Sequence, residues 1–164
     1  MGKTEIIKAL NAGLAKELAS AVHYTNHCRA AEAAGLTEEA DVLRRAAADE
    51  IRHADRIAER VVQLSGWPTA DPAFRQELKD PRQMIRDDLR RKQEATEDYR
   101  ILIRICIEHV DPVTRLMLEE ILTQEERHAY EFGKLLSDSQ PGNGALKTWE
   151  ENRDQVLGEA VAVS

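Results

Sequence analysis

The chain has 164 residues, of which 32% are charged and only 4% aromatic, a balance typical of long amphipathic helices around one core. Its formal net charge of −7 argues against a nucleic-acid partner, since such surfaces use Lys and Arg to neutralise phosphates. No apolar run approaches the roughly 20 residues that span a bilayer, and the N-terminus lacks the apolar core of a secretory signal, so we expect a cytoplasmic protein with no membrane partner.

Two helices are predicted in the first part of the chain. Apolar residues recur at spacings of three and four over residues 4–34, and Gly35 is expected to end this first helix. A second helix is predicted to open with Thr37 as its N-cap and to stop at Gly66. Residues 65–80 lack sustained periodicity, which predicts a long connection with at most one short turn of helix.

Two further helix starts are marked by an aspartate followed by a proline, at Asp80-Pro81 and Asp111-Pro112. The carboxylate caps the helix, and the proline ring fixes φ at the first helical position. Helices joined by tight, long and tight connections form two antiparallel hairpins linked by a crossover. The sequence therefore predicts an all-α four-helix bundle of the one-crossover type.

The predicted bundle occupies residues 1–138 as one domain, and residues 139–164 are predicted to form a linker and a short C-terminal helix. Cys28 and Cys106 lie within helical patterns and lack the spacing of a zinc ribbon. Helix geometry places them at opposite ends of the bundle, so we expect two reduced thiols.

Two Glu-x-x-His motifs occur, at residues 50–53 and 125–128. In each motif the carboxylate and the imidazole lie one helical turn apart, so both can reach one metal ion. One such motif is weak evidence, because Glu is common in this chain. The offset of 75 positions between the two motifs also carries Tyr24 onto Tyr99, which indicates that the two hairpins are copies of each other.

The inward stripe of the first helix contains a carboxylate, Glu17, which is costly there unless it is paired or bound to metal. The 75-residue offset carries Glu17 onto Lys92, so a lysine occupies the place of the fourth expected carboxylate. Glu94 lies about 200° further round the helix at 100° per residue and does not replace it. A di-iron carboxylate bundle needs six protein ligands. This chain supplies five of them, namely Glu17, Glu50, His53, Glu125 and His128.

Together these motifs resemble the bacterioferritin branch of the ferritin-like superfamily, over about residues 4–138. The resemblance rests on Leu10-Asn11-Ala12-Gly13-Leu14, Glu17-Leu18, Tyr24 with His27, Asp49-Glu50 with His53-Ala54-Asp55-Arg56, and Glu125-Glu126 with His128. It implies a ferritin-like bundle in homo-oligomeric cages that oxidise Fe²⁺ with O₂ or H₂O₂ and store ferric mineral. It further implies that the five ligands hold the iron and that three of them, Glu17, Glu50 and Glu125, are catalytic.

The chain departs from the resemblance at two positions. Bacterioferritins carry a haem-ligating methionine where this chain has Ile51, which has no donor atom, so we expect no haem bound in that way. Lys92 places a cation where the family has a terminal carboxylate. A protonated Lys92 would replace one metal's charge and leave a mononuclear site, whereas a neutral Lys92 would itself coordinate metal. The mononuclear site would consist of Glu17, Glu50, His53 and Glu125.

Other polar residues of the helices are given weaker roles. Tyr24 and Tyr99 are expected to be core aromatics, or to hydrogen-bond the metal-binding carboxylates as the resemblance suggests. His23 and His109 have no partner at ligand spacing and are predicted to face solvent. His27 lies nearly three turns beyond Glu17, and none of the three histidines is assigned to the metal.

Three functions remain open from the sequence. The first is a haem-free iron protein that oxidises Fe²⁺ as a ferroxidase and stores or detoxifies iron. The second is a ferritin-like shell or metal-binding protein whose site is mononuclear or inactive because of Lys92. The third is a di-metal oxidase that acts on an organic substrate. Carboxylate and imidazole ligands suit Fe²⁺ or Mn²⁺, with Zn²⁺ also compatible, and iron is chosen by the resemblance, with one or two ions per chain.

Overall fold

The structure is a computed structural model that describes residues 2–73 and 81–138. The predicted linker and C-terminal helix in residues 139–164 lie outside the described residues, as does the predicted cap Asp80. Within the described ranges the chain forms helices and no strand, which confirms the all-α prediction. The four helices are α1 (Gly2–Ala33), α2 (Thr37–Gln63), α3 (Pro81–Glu108) and α4 (Pro112–Asp138).

The helices pair as two hairpins. α1 packs along α2 and α3 along α4, and the hairpins meet where α1 contacts α3 and α2 contacts α4. The pairs Lys16–Asp98 and His27–Asp88 show that residue numbers rise along α1 while they fall along α3, so these helices are antiparallel. This arrangement requires the connection after α2 to cross the bundle, as the sequence predicted.

The first two helices and α3 end in the same hydrogen-bonded motif, but with different residues in the left-handed position. That position is Gly35 at the end of α1 (φ 71°), Ser65 after α2 (φ 60°) and Val110 after α3 (φ 54°). In all three cases the residue after the left-handed one donates its backbone N–H to the carbonyl five positions earlier, which satisfies a free carbonyl at the helix end. Gly66 is therefore not the left-handed residue but the one after it, and glycine is required there by close packing instead of by its backbone conformation. A Cβ there would lie 2.8 Å from Ile7.

The helix starts differ from the prediction at one place. Thr37 is not the N-cap of α2; Leu36 is, and no side chain caps this end. The backbone N–H of Leu36 donates to the carbonyl of Ala31 in α1, and the carbonyl of Leu36 accepts the N–H of Ala40. In this tight link, backbone groups rather than a capping side chain make the hydrogen bonds at the cap position. The prediction for α4 is confirmed, because Thr114 donates its backbone N–H to Asp111 Oδ1 at 3.0 Å.

The core consists of two apolar clusters with polar groups between them. One cluster contains Cys28, Leu43 and Phe132, and the other contains Leu10, Leu118 and Cys106. Both cysteines are free thiols. Among the described residues, no helix is both long enough and apolar enough to cross a membrane.

Candidate metal centre

Three of the four helices contribute metal-ligating side chains to a polar cluster between the two apolar clusters. Glu17 comes from α1, Glu50 and His53 from α2, and Glu125 from α4, and one donor atom from each lies within 4.8 Å of the others. Each of these four residues is buried, with an exposed fraction of at most 3%. Several buried carboxylates are stable only beside positive charge, so the cluster requires a cation.

Donor atoms of the cluster converge on a space where a metal ion fits. Glu17 Oε2 and His53 Nδ1 are buried without a hydrogen-bond partner. His53 Nδ1 lies 3.3 Å from Glu17 Oε2 and 3.3 Å from Glu125 Oε1. Buried polar atoms are almost always satisfied in native proteins, so these unsatisfied atoms indicate an absent partner. Carboxylate oxygens with one imidazole suit Fe²⁺, Mn²⁺ or Zn²⁺.

A protein cation occupies the other half of the centre. Lys92, which is 1% exposed, donates hydrogen bonds to both carboxylate oxygens of Glu125 at 2.8 and 2.9 Å and to Glu50 Oε1. Its Nζ also lies 5.1 Å from the centre of the Tyr24 ring, where the ring face attracts a cation. Burial alone would lower the pKa of Lys92, but the neighbouring Glu50 and other acidic groups raise it well above its ordinary value. The structure thus favours a protonated Lys92 over a neutral amine ligand.

His128 lies beside this lysine rather than within the four-residue cluster. Its Nδ1 lies 3.6 Å from Glu50 Oε1 and 3.9 Å from Glu125 Oε1, the same carboxylates that Lys92 bonds. Burial and the positive charge of Lys92 lower the pKa of His128, which favours the neutral imidazole. Of the five ligands predicted from the sequence, four come together around one position, and the fifth faces the Lys92 ammonium.

Burial and neighbouring charges shift the pKa values of three groups in the cluster. Burial raises the pKa of Glu50 well above its ordinary value despite the opposing charge of Lys92. Burial acts in the same direction on Glu125, but Lys92 and His53 lower the pKa of that carboxyl to about 2. Burial alone would lower the pKa of His53, yet Glu125 and Glu17 raise it to about 9. A metal ion must therefore displace protons as it binds.

Outer hydrogen bonds orient both motif histidines. His128 Nε2 donates to Asp49 Oδ2 at 2.9 Å, and His53 Nε2 donates to Gln124 Oε1 at 3.2 Å. In both rings Nδ1 is then the nitrogen that points to the centre, as expected when an outer partner fixes the tautomer of a metal ligand. Asp49 and Gln124 were not assigned a role from the sequence. The signal was present, because they too are 75 positions apart.

The two repeat-related tyrosines contact different parts of the centre. The Tyr99 hydroxyl donates to Glu17 Oε1 at 2.7 Å. Burial and the nearby Glu17 carboxylate raise the pKa of Tyr99, so the hydroxyl keeps the proton that it donates. Tyr24 instead presents its ring face to Lys92.

A cavity of about 140 Å³ leads to Glu17 and Tyr99 between α1 and α3. The Lys16–Asp98 ion pair lies on its lining. The volume is well below the roughly 300–1,000 Å³ of typical small-molecule pockets. The cavity suits the passage of an ion better than the binding of an organic substrate.

The structure tests the predictions made for two of the histidines. The prediction that His23 faces solvent is wrong, because it is buried between α1 and α3, where its Nε2 lies 3.7 Å from Asp88 Oδ1. α1 packs against two helices, so its buried face is wide enough to include the adjacent positions 23 and 24. His109 is partly exposed and pairs with Glu5 at 2.7 Å. Ile51 is 56% exposed on α2.

The chain is similar to known proteins over most of its length. Residues 7–140 match the ferritin family, described as a ferritin-like domain. The bacterioferritin of Rhodobacter capsulatus is 32% identical over 128 residues, which cover 77% of this chain and 80% of the relative. The bacterioferritin of Mycobacterium avium is 30% identical over the same coverage.

Solved structures share the architecture. The bacterioferritin of Desulfovibrio desulfuricans, solved with its diiron site in different catalytic states, superposes with a TM-score of 0.84 at 25% identity and covers 90% of this chain and 88% of its own. The Rhodobacter capsulatus structure, which has a metal-free dinuclear site and a haem iron, gives a TM-score of 0.81 at 30% identity. It covers 88% of this chain and 93% of its own.

Proposed function

Since this chain belongs to the ferritin-like domain family, as a relative of the bacterioferritins, we propose that it binds iron inside the bundle, one Fe²⁺ per chain, and serves in iron storage or detoxification. The observation that carries the proposal is the contact of Lys92 Nζ with Glu50 and Glu125. The ligands of the single ion are Glu17, Glu50, His53 and Glu125.

Charge is the reason for one ion instead of two. Both oxygens of Glu125 and one oxygen of Glu50 already accept hydrogen bonds from the Lys92 ammonium. A second metal ion at these oxygens would lie next to a fixed positive charge inside a low-dielectric core, where like charges repel strongly. The ammonium therefore supplies one positive charge where a dinuclear site has a divalent ion.

A mononuclear centre changes how iron is oxidised. One Fe²⁺ gives up one electron when it becomes Fe³⁺, whereas the reduction of O₂ to H₂O₂ takes two electrons. Two ions held in one centre can supply both electrons together, but a single ion cannot. We expect Fe²⁺ oxidation with O₂ to be slow here, so that binding and sequestration dominate over fast ferroxidase activity.

Two further aspects belong to the same proposal. Ile51 is exposed and aliphatic, so it offers no ligand to a haem iron, and the protein is proposed to be haem-free. We further propose a homo-oligomer, by similarity to the bacterioferritins. Analytical ultracentrifugation tests the second point, because a monomer would show the mass of a single chain, 18.5 kDa.

The proposal is tested by counting the Fe²⁺ ions that depend on the centre. Metal-free protein is titrated with Fe²⁺ under anaerobic conditions, and the count is the difference between each protein and its Glu50→Ala variant. We expect one ion for the wild type and two for Lys92→Glu, which completes the carboxylate set. Lys8→Glu makes the same charge change at an exposed position and should leave the count at one.

Air is then admitted, and the rate of Fe³⁺ formation is followed by absorbance. Lys92→Glu should oxidise its iron faster than the wild type, because it holds two ions in one centre. Two ions in the wild type that oxidise together would overturn the proposal and show that Lys92 moves aside when metal binds. No Glu50-dependent ion at all would show that the centre does not bind iron.

A further inference from the structure

A second cluster of metal-ligating side chains lies outside the centre described above. His23 and His27 are one turn apart on α1, and Asp88 faces them from α3. One donor atom from each lies within 4.8 Å of the others, and the exposed fractions are 6%, 4% and 0%. The proposed iron function uses none of the three.

We propose that His23, His27 and Asp88 form a second metal site, which takes Zn²⁺ or a divalent ion of similar chemistry. The proposal goes beyond iron binding at the bundle centre, because it concerns other residues and a different class of metal ion. Two helical imidazoles and one carboxylate are the protein ligands of many zinc sites, which leave a fourth position for water.

The cluster contains one more imidazole than an ion pair with Asp88 requires. His27 Nδ1 lies 2.8 Å from Asp88 Oδ2, and this contact alone would compensate one buried carboxylate. A second imidazole nevertheless faces the same group, with the His23 and His27 ring centres 4.0 Å apart and His23 Nε2 3.7 Å from Asp88 Oδ1. Asp88 Oδ1 is fully buried without a hydrogen bond. A metal ion between the rings and the carboxylate would satisfy it.

The nearest basic side chains on α3, Arg91 and Lys92, are hydrogen-bonded to other carboxylates. Arg91, three positions beyond Asp88 on α3, donates to Asp87 at 2.5 Å. Lys92, one turn beyond Asp88, is bonded to the carboxylates of the bundle centre. Among the described residues no Lys or Arg forms a salt bridge with Asp88, and Arg91 acts on it only through its charge, so the direct partners of Asp88 are the two histidines.

The ligand set distinguishes this site from the bundle centre. The bundle centre offers three carboxylates and one imidazole, a set suited to Fe²⁺ or Mn²⁺, whereas the second cluster offers two nitrogens and one carboxylate. Imidazole nitrogens in a tetrahedral arrangement favour Zn²⁺ or Co²⁺. A cleft with a volume of about 10 Å³, enough for one water molecule, reaches His27 beside Glu39.

A metal ion at this position would link the two hairpins. α1 belongs to the first hairpin and α3 to the second, and these helices share fewer contacts than the two helices of either hairpin do. An ion that binds only the folded chain stabilises it by mass action. Zn²⁺ should therefore raise the unfolding temperature through this site.

The first test uses Co²⁺ as a spectroscopic probe of the full chain. The variant Glu17→Ala/His53→Ala disables the bundle centre, so that any remaining tightly bound ion belongs elsewhere. We expect one Co²⁺ per chain with the intense visible absorption of tetrahedral coordination, displaced by one equivalent of Zn²⁺. Absence of such absorption from both this variant and the wild type would overturn the proposal, whatever the result for iron.

The second test asks whether the ion depends on His23. His23→Gln keeps the His27–Asp88 pair, so the metal-free unfolding temperature should change little, while Zn²⁺ affinity should fall at least tenfold. His109→Gln, at a partly exposed histidine outside the cluster, should leave Zn²⁺ affinity unchanged. An unchanged affinity in His23→Gln would assign the cluster to a plain ion pair. The Glu50-dependent iron count should stay at one in His23→Gln, so the two proposals fail separately.

Discussion

The Tyr99 hydroxyl holds one of the carboxylates that would bind iron. It donates to Glu17 Oε1, which leaves Glu17 Oε2 as the oxygen nearest to His53. Outer partners of this kind fix the orientation of metal ligands, and their loss typically reduces metal affinity about 10–100-fold. The contact between Tyr99 and Glu17 is therefore a direct test of how Glu17 is positioned.

We predict that Tyr99→Phe weakens Fe²⁺ binding at the bundle centre about tenfold, because Glu17 loses the hydrogen bond that orients it. The change is measured by anaerobic Fe²⁺ titration, with thermal unfolding of the metal-free protein alongside. Tyr130→Phe makes the same chemical change at a 74% exposed position and should leave the affinity unchanged. Equal affinities in wild type and Tyr99→Phe would show that the Tyr99 hydrogen bond does not position Glu17 for the ion.

At the scale of single residues, the sequence predicted which residues form the centre better than it predicted their contacts. The 75-residue repeat placed Lys92 at an inward position, but the sequence left open whether its amine was charged or a ligand. That question depends on distances to Glu50 and Glu125, which no pattern contains. The burial of His23 was missed for a different reason. Periodicity assigns one buried face to a helix, whereas α1 packs against two neighbouring helices.

At the scale of helices, α4 depends on a charged cap. Asp111 accepts the backbone N–H of Thr114 and pairs with Arg60 at 2.9 Å. Burial alone would raise the pKa of Asp111, but the hydrogen bonds from Thr114 and the charge of Arg60 lower it below its ordinary value. The ionised form is thus favoured in the folded chain, so its stabilisation is complete above the unfolded pKa and is lost as the pH falls through the lower, folded pKa.

We predict that Asp111→Asn lowers the free energy of unfolding by about 1–2 kcal/mol at pH 7, because an amide still caps the helix but no longer pairs with Arg60. The difference from wild type should begin to shrink as the pH falls below about 4 and should vanish below the lower, folded pKa, where the native aspartate is also neutral. Urea unfolding of metal-free protein at several pH values measures it. Asp41→Asn, at an exposed carboxylate, should stay within about 0.5 kcal/mol. A pH-independent difference would exclude the Asp111 charge as its cause.

The end of α3 contains local strain. Val110 adopts φ 54°, a left-handed conformation that costs a side chain about 1–2 kcal/mol, and it is 84% exposed. We predict that Val110→Gly raises the free energy of unfolding by about 1 kcal/mol, since glycine adopts this conformation readily but gains entropy in the unfolded chain. Val62→Gly makes the same change in the last turn of α2, at a helical position, and should destabilise the protein by about 0.5–1 kcal/mol. Equal losses in both variants would contradict the strain at Val110.

Helices and their starts were largely predictable, and helix ends less so. Periodicity and the Asp-Pro pairs located all four helices, because these signals are local. The left-handed residues Ser65 and Val110 gave no signal, since the sequence preference at that position is for glycine. The cap at Leu36 was missed for a related reason, because the tight turn between α1 and α2 satisfies that end with backbone groups.

At the scale of the whole molecule, the charged centre joins all four helices. Glu17, Glu50 and Glu125 come from three helices, and Lys92 of α3 lies against two of them. We therefore expect Lys92 to have a second effect besides limiting the number of bound metal ions. Its positive charge compensates the negative charge of the buried carboxylates when no metal is bound. For this reason we expect the bundle to fold without metal.

We predict that chelation of metal leaves the wild type folded and close to its full stability, whereas Lys92→Glu without metal loses about 3–5 kcal/mol, as expected when a buried carboxylate loses its cation. Saturating Mn²⁺, which avoids oxidation, should restore most of this loss, since metal binding only to the folded state stabilises it. Urea unfolding midpoints with EDTA and with Mn²⁺ measure both effects, with Lys8→Glu as the charge-matched control. If Lys92→Glu is as stable as wild type in EDTA, Lys92 does not hold the centre together. If the wild type itself unfolds in EDTA, a metal ion, and not the ammonium, compensates the buried carboxylates.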